Sequence, residues 1–434
     1  MDKDTRGGKM MIGDRIRNLR VMKKMTQGQL IEDIASITYL SKVENNQTQP
    51  TRQFINKIAE RLGIDSDVLL GTASDNFIEK LQVIYDEFWN DDKVSEEDIA
   101  LLQVQIQEVH DNQSYLMIFT TLIRYYYMDF HLLDAKTLFE QSKKYINEYD
   151  SSVEDQYYFH YYLICGKLLM DLYLLPQANE YLMRCELYRV AASDQDCAKY
   201  YFSLSVVKQQ LSENKFVSLY YSEKSLEYQR KVGNSNRLAM VYFARAIQFQ
   251  LVDQPKDALK CIEDGKACFL DLTNVNLKAV FEYSIGRVYQ IRKDYSTAIM
   301  HYLNALNFYL KSSFVEKSIQ VHKRLVEIYI EEKNWRLVEE HLKKAESLAE
   351  ENKNFYYDIE LDILRASVFK YLAQDNSYEK AMKKIIMHCE ERELKYHIKN
   401  LSTDLGEYFY NKNSFKKAAI YFHQAFQIEK LQKD

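Results

Sequence analysis

The stretches GRVYQIRKDYSTAIMHYLNA (residues 286–305) and GEYFYNKNSFKKAAIYFHQA (residues 406–425) share one pattern of small and aromatic residues. Each begins with a glycine, continues with aromatic residues, and places alanines at two matching later positions. The recurrences at intervals of three and four residues are typical of helix faces, and a polar break separates two such faces. The pattern therefore predicts two antiparallel helices, whose small residues allow close approach and whose rings fill the spaces between neighbouring pairs.

The same pattern recurs along most of the chain, at intervals of 37 to 43 residues. It resembles the tetratricopeptide repeat, lengthened from about 34 to about 40 residues per unit. We therefore predict an all-α protein in which residues 113–434 form a right-handed tetratricopeptide-repeat solenoid of about eight units. The small residues at the centres of the units are Ala135, Ala178, Ser218, Ala258, Ala298, Val338, Ala381 and Ala418.

The composition agrees with a helical protein. Only 11 glycines and 3 prolines occur among 434 residues, too few for the turns of a β-sandwich or for a doubly wound α/β enzyme. With 47% hydrophobic and 28% charged residues, the chain can form a packed core. No apolar run approaches the roughly 20 residues of a membrane span, residues 1–9 lack a signal-peptide core, and the six cysteines form no C-x-x-C pair. These features predict a cytoplasmic protein with reduced thiols and no membrane contact.

A different pattern occupies residues 11–70, which we expect to form a separate domain. Within MTQGQLIEDIASITYLSKVENNQTQP (25–50), Thr26 and Gln29 form a capping box that begins a second helix, with Leu30 and Ile34 on its buried side. Two short helices joined by a tight turn and flanked by supporting helices indicate a helix-turn-helix. Residues 71–112 are expected to hold a linker and a first helical pair.

The third helix of this head is the candidate recognition helix. Ser36 is its expected N-cap, Leu40 and Val43 should point inward, and the helix should extend over about residues 37–45. Pro50 is expected to begin a fourth helix that Gly63 ends. Residues 1–62 carry 12 Lys/Arg against 7 Asp/Glu, a net +5, whereas the remainder is net −10. The charge distribution predicts that only the head contacts a polyanion.

The head resembles the helix-turn-helix of Xre/Cro repressors, on the strength of the Thr26-Gln27 start, the segment 41–45 and Pro50. It differs in a shorter turn and in Asn46, which stands where the loop usually has glycine. A head of this class followed by lengthened tetratricopeptide repeats resembles the peptide-pheromone regulators of Gram-positive bacteria, the Rgg, Rap, NprR, PlcR and PrgX family. The NprR and PlcR branches match best.

The resemblance implies a cytoplasmic quorum-sensing transcription regulator. Such a protein binds a double-stranded DNA operator through its head and a short signalling peptide on the concave face of its repeats. Peptide binding then changes the oligomeric state or the arrangement of the heads. We expect a homodimer, with a higher oligomer on ligand binding, since specific affinity usually comes from two half-sites about 34 Å apart.

For DNA, the side chains at the start of the recognition helix should reach base edges, and nearby amides and cations should contact phosphates. The candidates are Gln27, Ser36, Thr38, Tyr39, Lys42, Arg17 and Lys23. For the peptide, amide and cationic side chains on the first helix of each unit suit backbone groups and carboxylates. The candidates are Arg124, Lys167, Asn236, Gln250, Asn276, Arg287, Gln290 and Asn400.

Two other classes of function stay open. One is a Rap-like regulator that binds a response regulator of a phosphorelay, either sequestering it or promoting its dephosphorylation. The other is a repeat scaffold for an unrelated protein partner. An enzyme is disfavoured, because the sequence has no HExxH motif, no glycine-rich phosphate loop and no nucleophile elbow. We therefore assign no catalytic residue, metal site or cofactor.

Overall fold

The computed structural model describes residues 12–23, 25–64, 66, 69, 74–106, 108, 110–129, 131–172, 174–268, 275–311, 314–352, 355–392 and 394–430. These residues form α-helices and one 3-10 helix, without strands, so the predicted all-α class is confirmed. The chain divides into two compact units, residues 1–168 with 181–192, and residues 169–180 with 193–434. The domain limits expected at residues 70 and 112 stay predictions.

The head consists of four short helices whose ends follow the capping residues. Both bonds of the Thr26–Gln29 capping box are present, and Ser36 caps the third helix through the backbone N–H of Tyr39. Gly63 ends the fourth helix with a left-handed φ of 65°. The helices are α1 (Ile12–Met22), α2 (Gln27–Ile31), α3 (Ile37–Glu44) and α4 (Arg52–Leu62).

Two details of the head differ from the sequence prediction. The second helix ends at Ile31, which is buried, while Ile34 lies beyond it and is only partly buried. Asp33, at a left-handed φ of 61°, turns the chain between them. The fourth helix begins at Arg52 rather than at Pro50, because the Thr51 hydroxyl accepts from the backbone N–H of Phe54 and so supplies the cap.

The remaining described helices follow in antiparallel pairs after two joining helices. The joining helices are α5 (Ser74–Asp91) and α6 (Glu96–Gln105). The pairs are α7 (Asn112–Met128) with α8 (Leu132–Ser142), α9 (Asp155–Asp171) with α10 (Leu175–Cys185), α11 (Asp194–Leu211) with α12 (Phe216–Val232), α13 (Ser235–Leu251) with α14 (Pro255–Cys268), α15 (Val275–Ile291) with α16 (Tyr295–Lys311), α17 (Val315–Glu331) with α18 (Trp335–Asn352), α19 (Phe355–Tyr371) with α20 (Asp375–Glu390), and α21 (Lys395–Asn411) with α22 (Phe415–Lys430); the 3-10 helix is Glu186–Ala191. A tetratricopeptide-like repeat fold that follows the head along the chain is thus confirmed.

The central small residue of each pair lies near the start of its second helix. Ala258, Ala298 and Ala418 occupy this position and are at most 2% exposed. In the α19–α20 pair the prediction was wrong, since Ala381 is partly exposed and Tyr378 fills the equivalent buried position. Because the repeat is traced by its small residues, a tyrosine at this position is not recognised as the central residue. With Tyr378 as the central residue, positions 338, 378 and 418 are separated by 40 residues each.

The turn inside five successive pairs has the same unusual backbone. A non-glycine residue with φ between 55° and 61° stands at every fortieth position. The following N–H donates to the carbonyl five residues earlier, as from Asn334 to Tyr329 at 2.9 Å. This is the Schellman arrangement, which usually recruits glycine because other residues resist a positive φ. The residues are Asp253, Lys293, Lys333, Ala373 and Asn413.

Close helix approach explains two glycines inside helices. A Cβ at Gly286 would lie 2.8 Å from the ring of Tyr302, so the predicted contact between the two helices of this pair is confirmed. Gly265, for which the sequence suggested no role, faces the ring of Phe243, and a Cβ there would lie 2.7 Å from it.

Among the described residues, no helix has the length and apolar character needed to cross a membrane.

Candidate functional site

The exposed side of α3 presents a short polar row, as predicted. Thr38 and Lys42 are exposed, whereas Leu40 and Val43 on the opposite side are at most 1% exposed. Ile37, which sequence reasoning left out, is 54% exposed at the start of the helix. An exposed β-branched residue beside Thr38 can make apolar contact with thymine methyl groups. The outward face of α3 therefore carries both polar and apolar groups suited to a DNA groove.

Two further predicted DNA contacts have structural duties. The Ser36 hydroxyl caps α3 by accepting from the N–H of Tyr39 at 3.2 Å. The Tyr39 ring is half-buried and packs edge-on against Phe54, with ring centroids 5.0 Å apart. Both residues help to hold α3 in place, which leaves Thr38 and Lys42 as its more available polar side chains.

Glu44, at the end of α3, is the centre of a buried polar cluster. Its carboxylate accepts from Arg20 through Nε at 2.6 Å and Nη2 at 3.0 Å, and from Gln27 Nε2 at 2.8 Å. The hydrogen bond from Arg20 to Glu44 raises the pKa of that guanidinium. Gln27, predicted to contact a phosphate, therefore uses one amide N–H to link α2 with α3, and its contact with DNA stays a prediction.

The start of α1 touches the end of α3. The Gly13 N–H donates to Asn46 Oδ1 at 3.2 Å, and a Cβ on Gly13 would overlap the Val43 carbonyl oxygen. Asn46 has a left-handed φ of 55°, the conformation for which asparagine substitutes best for glycine. Arg17 and Lys23 are exposed, as a role in phosphate attraction requires.

The two peptide candidates in the first unit are engaged within the protein. Arg124 is 9% exposed; its guanidinium donates to the Phe88 carbonyl oxygen, pairs with Asp92 and lies over the rings of Phe88 and Trp89. Arg124 therefore links α7 to α5, and its guanidinium is not presented in a groove. Lys167 is half-buried, with Nζ 5.4 Å from the centroid of the Tyr127 ring.

Helix α13 in the second unit carries buried amide atoms without hydrogen-bond partners among the described residues. They are Asn236 Oδ1 and Gln250 Nε2, both predicted peptide contacts, and both amide atoms of Gln248. Gln248 is completely buried, a feature that sequence reasoning missed. An acceptor on Asn236 and a donor on Gln250 are the groups that an extended peptide backbone needs.

The first helices of the next two pairs, α15 and α17, are linked by a continuous hydrogen-bonded network. Tyr302 donates to Gln290 Oε1 at 2.6 Å, and Gln290 Nε2 donates to Glu327 at 3.0 Å. Arg324 Nη1 donates to both Glu327 oxygens at 2.8 Å, and its Nε donates to Tyr283 Oη at 3.4 Å. With Arg287, which faces Tyr283, these residues make up what we term the α15–α17 network: Tyr283, Arg287, Gln290, Tyr302, Arg324 and Glu327.

The two predicted peptide contacts within the network, Gln290 and Arg287, differ in how far their polar groups are already bonded. Gln290 is bonded at both ends of its amide, whereas Arg287 is half-buried beside Tyr283. Of the other candidates in this unit, Asn400 on α21 is exposed, and the side chain of Asn276 lies outside the described residues. Among the residues that the structure describes, no group of three or more His, Cys, Asp or Glu could hold a metal ion.

Comparison with known families identifies two segments. Residues 13–74 match the family described as a helix-turn-helix domain, and residues 220–395 match the family described as soluble NSF attachment protein, SNAP. The combination of a helix-turn-helix head with tetratricopeptide-like repeats, predicted from the sequence, is thereby confirmed.

The chain is similar to the transcriptional activator NprA of Geobacillus stearothermophilus, with 21% identity over 92% of this chain and 99% of that protein. Its fold is similar to a Rap protein solved with competence and sporulation factor, at a TM-score of 0.60 and 18% identity, covering 81% of this chain and 98% of that one. It is also similar to NprR solved with its cognate peptide NprX, at a TM-score of 0.52 and 15% identity, covering 73% and 87%.

Proposed function

We propose that this protein is a cytoplasmic, homodimeric transcription regulator that binds operator DNA through α3 and is switched by a short signalling peptide bound along the first helices of its repeats. The observation that carries the proposal is the similarity to a transcriptional activator over nearly the full length of both chains, together with an α3 face that exposes Thr38 and Lys42.

The head has the chemistry that DNA recognition requires. Lys42 can donate to guanine acceptors or to phosphate, and Thr38 can use its hydroxyl or methyl group against a base edge. Arg17 and Lys23 add sequence-independent attraction. Because Arg20 pairs with Glu44, the charge of this carboxylate at the end of α3 is balanced and does not oppose the approach of phosphates.

The peptide role is supported by the buried amide groups of α13. An unsatisfied buried donor or acceptor costs free energy, which a ligand backbone recovers when it bonds to that group. Asn236 and Gln250 present one acceptor and one donor of this kind. The fold likeness to NprR and Rap structures that contain bound signalling factors agrees with this assignment.

The second candidate function is binding to a response regulator, as expected for a Rap-like protein. The fold likeness to a Rap protein favours it, but the match of residues 13–74 to a helix-turn-helix family favours DNA. The two roles are compatible, since different surfaces of the chain would serve them.

Selection from randomised duplex DNA tests the head. We expect the full-length protein to enrich a two-fold symmetric site, and Thr38→Ala and Lys42→Ala each to weaken binding to it by about tenfold. Lys416→Ala, an exposed lysine of α22, is the matched control and should bind as the wild type does. Failure of the wild type to enrich any sequence, or unchanged affinity in both α3 variants, would contradict the DNA assignment.

Affinity selection from a synthetic heptapeptide library tests the repeats. Peptides retained by the wild type should bind Asn236→Ala and Gln250→Ala about tenfold more weakly, while Asn307→Ala on the exposed side of α16 should bind normally. If the wild type retains no peptide, or if neither amide matters, this site assignment fails.

A further inference from the structure

The α15–α17 network carries more positive charge than it neutralises. Arg324 is paired with Glu327, whereas Arg287 adds a second guanidinium that pairs with no carboxylate among the residues described. The neighbouring Lys323 does not change the balance, since its Nζ lies 2.7 Å from Glu360. With its tyrosines protonated, the network holds one surplus positive charge on a half-buried face.

The pKa of Tyr283 reflects this surplus positive charge. Burial by itself would raise the pKa of Tyr283, but the guanidinium groups of Arg324 and Arg287 lower it to about 8. The other groups facing the network around this ring are Glu327 on α17 and the neutral phenols of Tyr302 and Tyr309 on α16. The site thus stabilises negative charge on an oxygen atom that interacts with two guanidiniums.

We propose that Arg287 and Arg324 bind one carboxylate of the signalling peptide, with the Tyr283 hydroxyl as an additional donor. The inference rests on the proposed peptide-binding function and names the chemical group that the site selects. Guanidiniums suit this task because their planar N–H groups match the two oxygens of a carboxylate.

Glu327, Gln290 and Tyr302 are positioning residues in this arrangement. Glu327 fixes Arg324 through two bonds of 2.8 Å. Gln290 donates to Glu327, and Tyr302 in turn donates to Gln290 and so holds that amide in place. A single surplus charge fits one carboxylate better than a phosphate, which carries up to two charges at neutral pH.

The location agrees with a peptide site. Helices α13 and α15 pack against each other, and Gln250 on α13 is separated from Gln290 on α15 by the 40-residue period. The two glutamines therefore hold equivalent positions on neighbouring first helices. A chain that bonds to the amide of Gln250 would pass close to Arg287, one turn before Gln290.

The carboxylate could belong to the peptide C-terminus or to an Asp or Glu side chain, and a heptapeptide library in four versions separates these sources. The versions contain or lack one acidic residue, and have a free or an amidated C-terminus. We expect the wild type to retain the acid-bearing version about tenfold better than the neutral amidated version. Arg287→Gln should abolish this preference and Arg287→Lys should restore part of it.

A spectroscopic readout distinguishes this role from a purely structural one. In the wild type, the ultraviolet absorbance of tyrosinate should titrate near the pKa of about 8, and a retained acidic peptide should move that titration upward. Because a tyrosinate repels a carboxylate, affinity should fall as pH rises through about 8. Tyr283→Phe should lack both the early titration and this loss of affinity.

The outcomes separate the two levels of the proposal. Retention of neutral amidated peptides as strongly as acidic ones, with no shift of the tyrosine titration, overturns the carboxylate subsite and leaves peptide binding standing. Retention of no version by the wild type overturns the peptide function itself. Preference for acid with an amidated C-terminus supports a side-chain carboxylate, and preference for the free C-terminus alone supports the terminal one.

Discussion

His322 of α17 and His341 of α18 face each other with their Nδ1 atoms 2.9 Å apart. The two residues are 4% and 7% exposed. At this distance only one of the two Nδ1 atoms carries a hydrogen, so at least one ring must be neutral. The pair is thus a buried hydrogen bond that a second proton would break.

This pair should make the protein sensitive to acid. Burial and the facing His341 lower the pKa of His322 to about 4, and burial also lowers that of His341. The unfolded chain therefore binds more protons than the folded chain between pH of about 6.5 and about 4, so the free energy of unfolding falls as pH falls through this range. We expect the pair to contribute a loss of about 2 to 3 kcal/mol.

Urea unfolding near pH 7 and near pH 5 measures the effect. His322→Leu should reduce the difference between the two conditions, while His423→Gln, at an exposed position on α22, should not. Equal pH dependence in the wild type and His322→Leu would show that the pair does not titrate on unfolding.

Replacement of Gln248 should stabilise the protein. Its amide is completely buried and has no hydrogen-bond partner in the part of the chain that the structure describes, whereas the equivalent positions 40 and 80 residues later hold Val288 and Ile328, also fully buried. Gln248→Leu should raise the free energy of unfolding by about 1 to 2 kcal/mol, because it removes an unsatisfied polar group. Chemical denaturation checks this, with the exposed Gln210→Leu expected to be neutral. A destabilised Gln248→Leu would mean that the amide has a partner in solution.

Alanine-to-glycine changes should have opposite effects at two positions. Ala373 has a φ of 55° in the turn between α19 and α20, whereas Ala419 is exposed within α22. Ala373→Gly should raise the free energy of unfolding by up to about 1 kcal/mol through relief of left-handed strain. Ala419→Gly should lower it by about 0.5 to 1 kcal/mol, because glycine weakens helix interiors. Changes of the same sign in both variants would refute this reading of the turn.

Gly13 should tolerate no side chain. The Cβ of Gly13→Ala would overlap the Val43 carbonyl at the end of α3, and should displace α3, the proposed recognition helix. We expect loss of DNA binding and a less stable head, seen as increased hydrogen exchange of the α3 amides. Gly28→Ala is the control, since its nearest neighbouring atoms would lie 3.8 Å away. DNA affinity equal to wild type in Gly13→Ala would show that α1 can move aside.

Local patterns predicted the fold well. Caps such as Thr26 and Ser36 depend on residues three positions away, and the repeat depends on spacings within one helix pair, so both can be read from sequence. The predicted repeat position was wrong in the α19–α20 pair, whose central residue is large, since Tyr378 occupies a position that elsewhere holds small residues. Ile31 is buried in place of Ile34 because α2 ends at Ile31. No strong helix-breaking residue in the sequence indicates this early end.

The candidate sites were less predictable, because their partners come from distant segments. Arg124 was expected in a groove, yet Asp92, 32 residues earlier, takes its charge. Gln290 was expected to meet a ligand, but Glu327, 37 residues later, and Tyr302 occupy its amide. Helical spacing identifies which face a side chain occupies, whereas pairing across helices decides whether its polar atoms remain available.

The recurrence of a left-handed residue at every fortieth position from Asp253 to Asn413 has an evolutionary consequence. Recombination between the coding segments of two successive turns would insert or remove one whole helix pair. All the remaining turns would keep their sequence and backbone conformation. The array can therefore gain or lose units in single genetic events. A chain built on this plan can change the number of its repeats while keeping the same head.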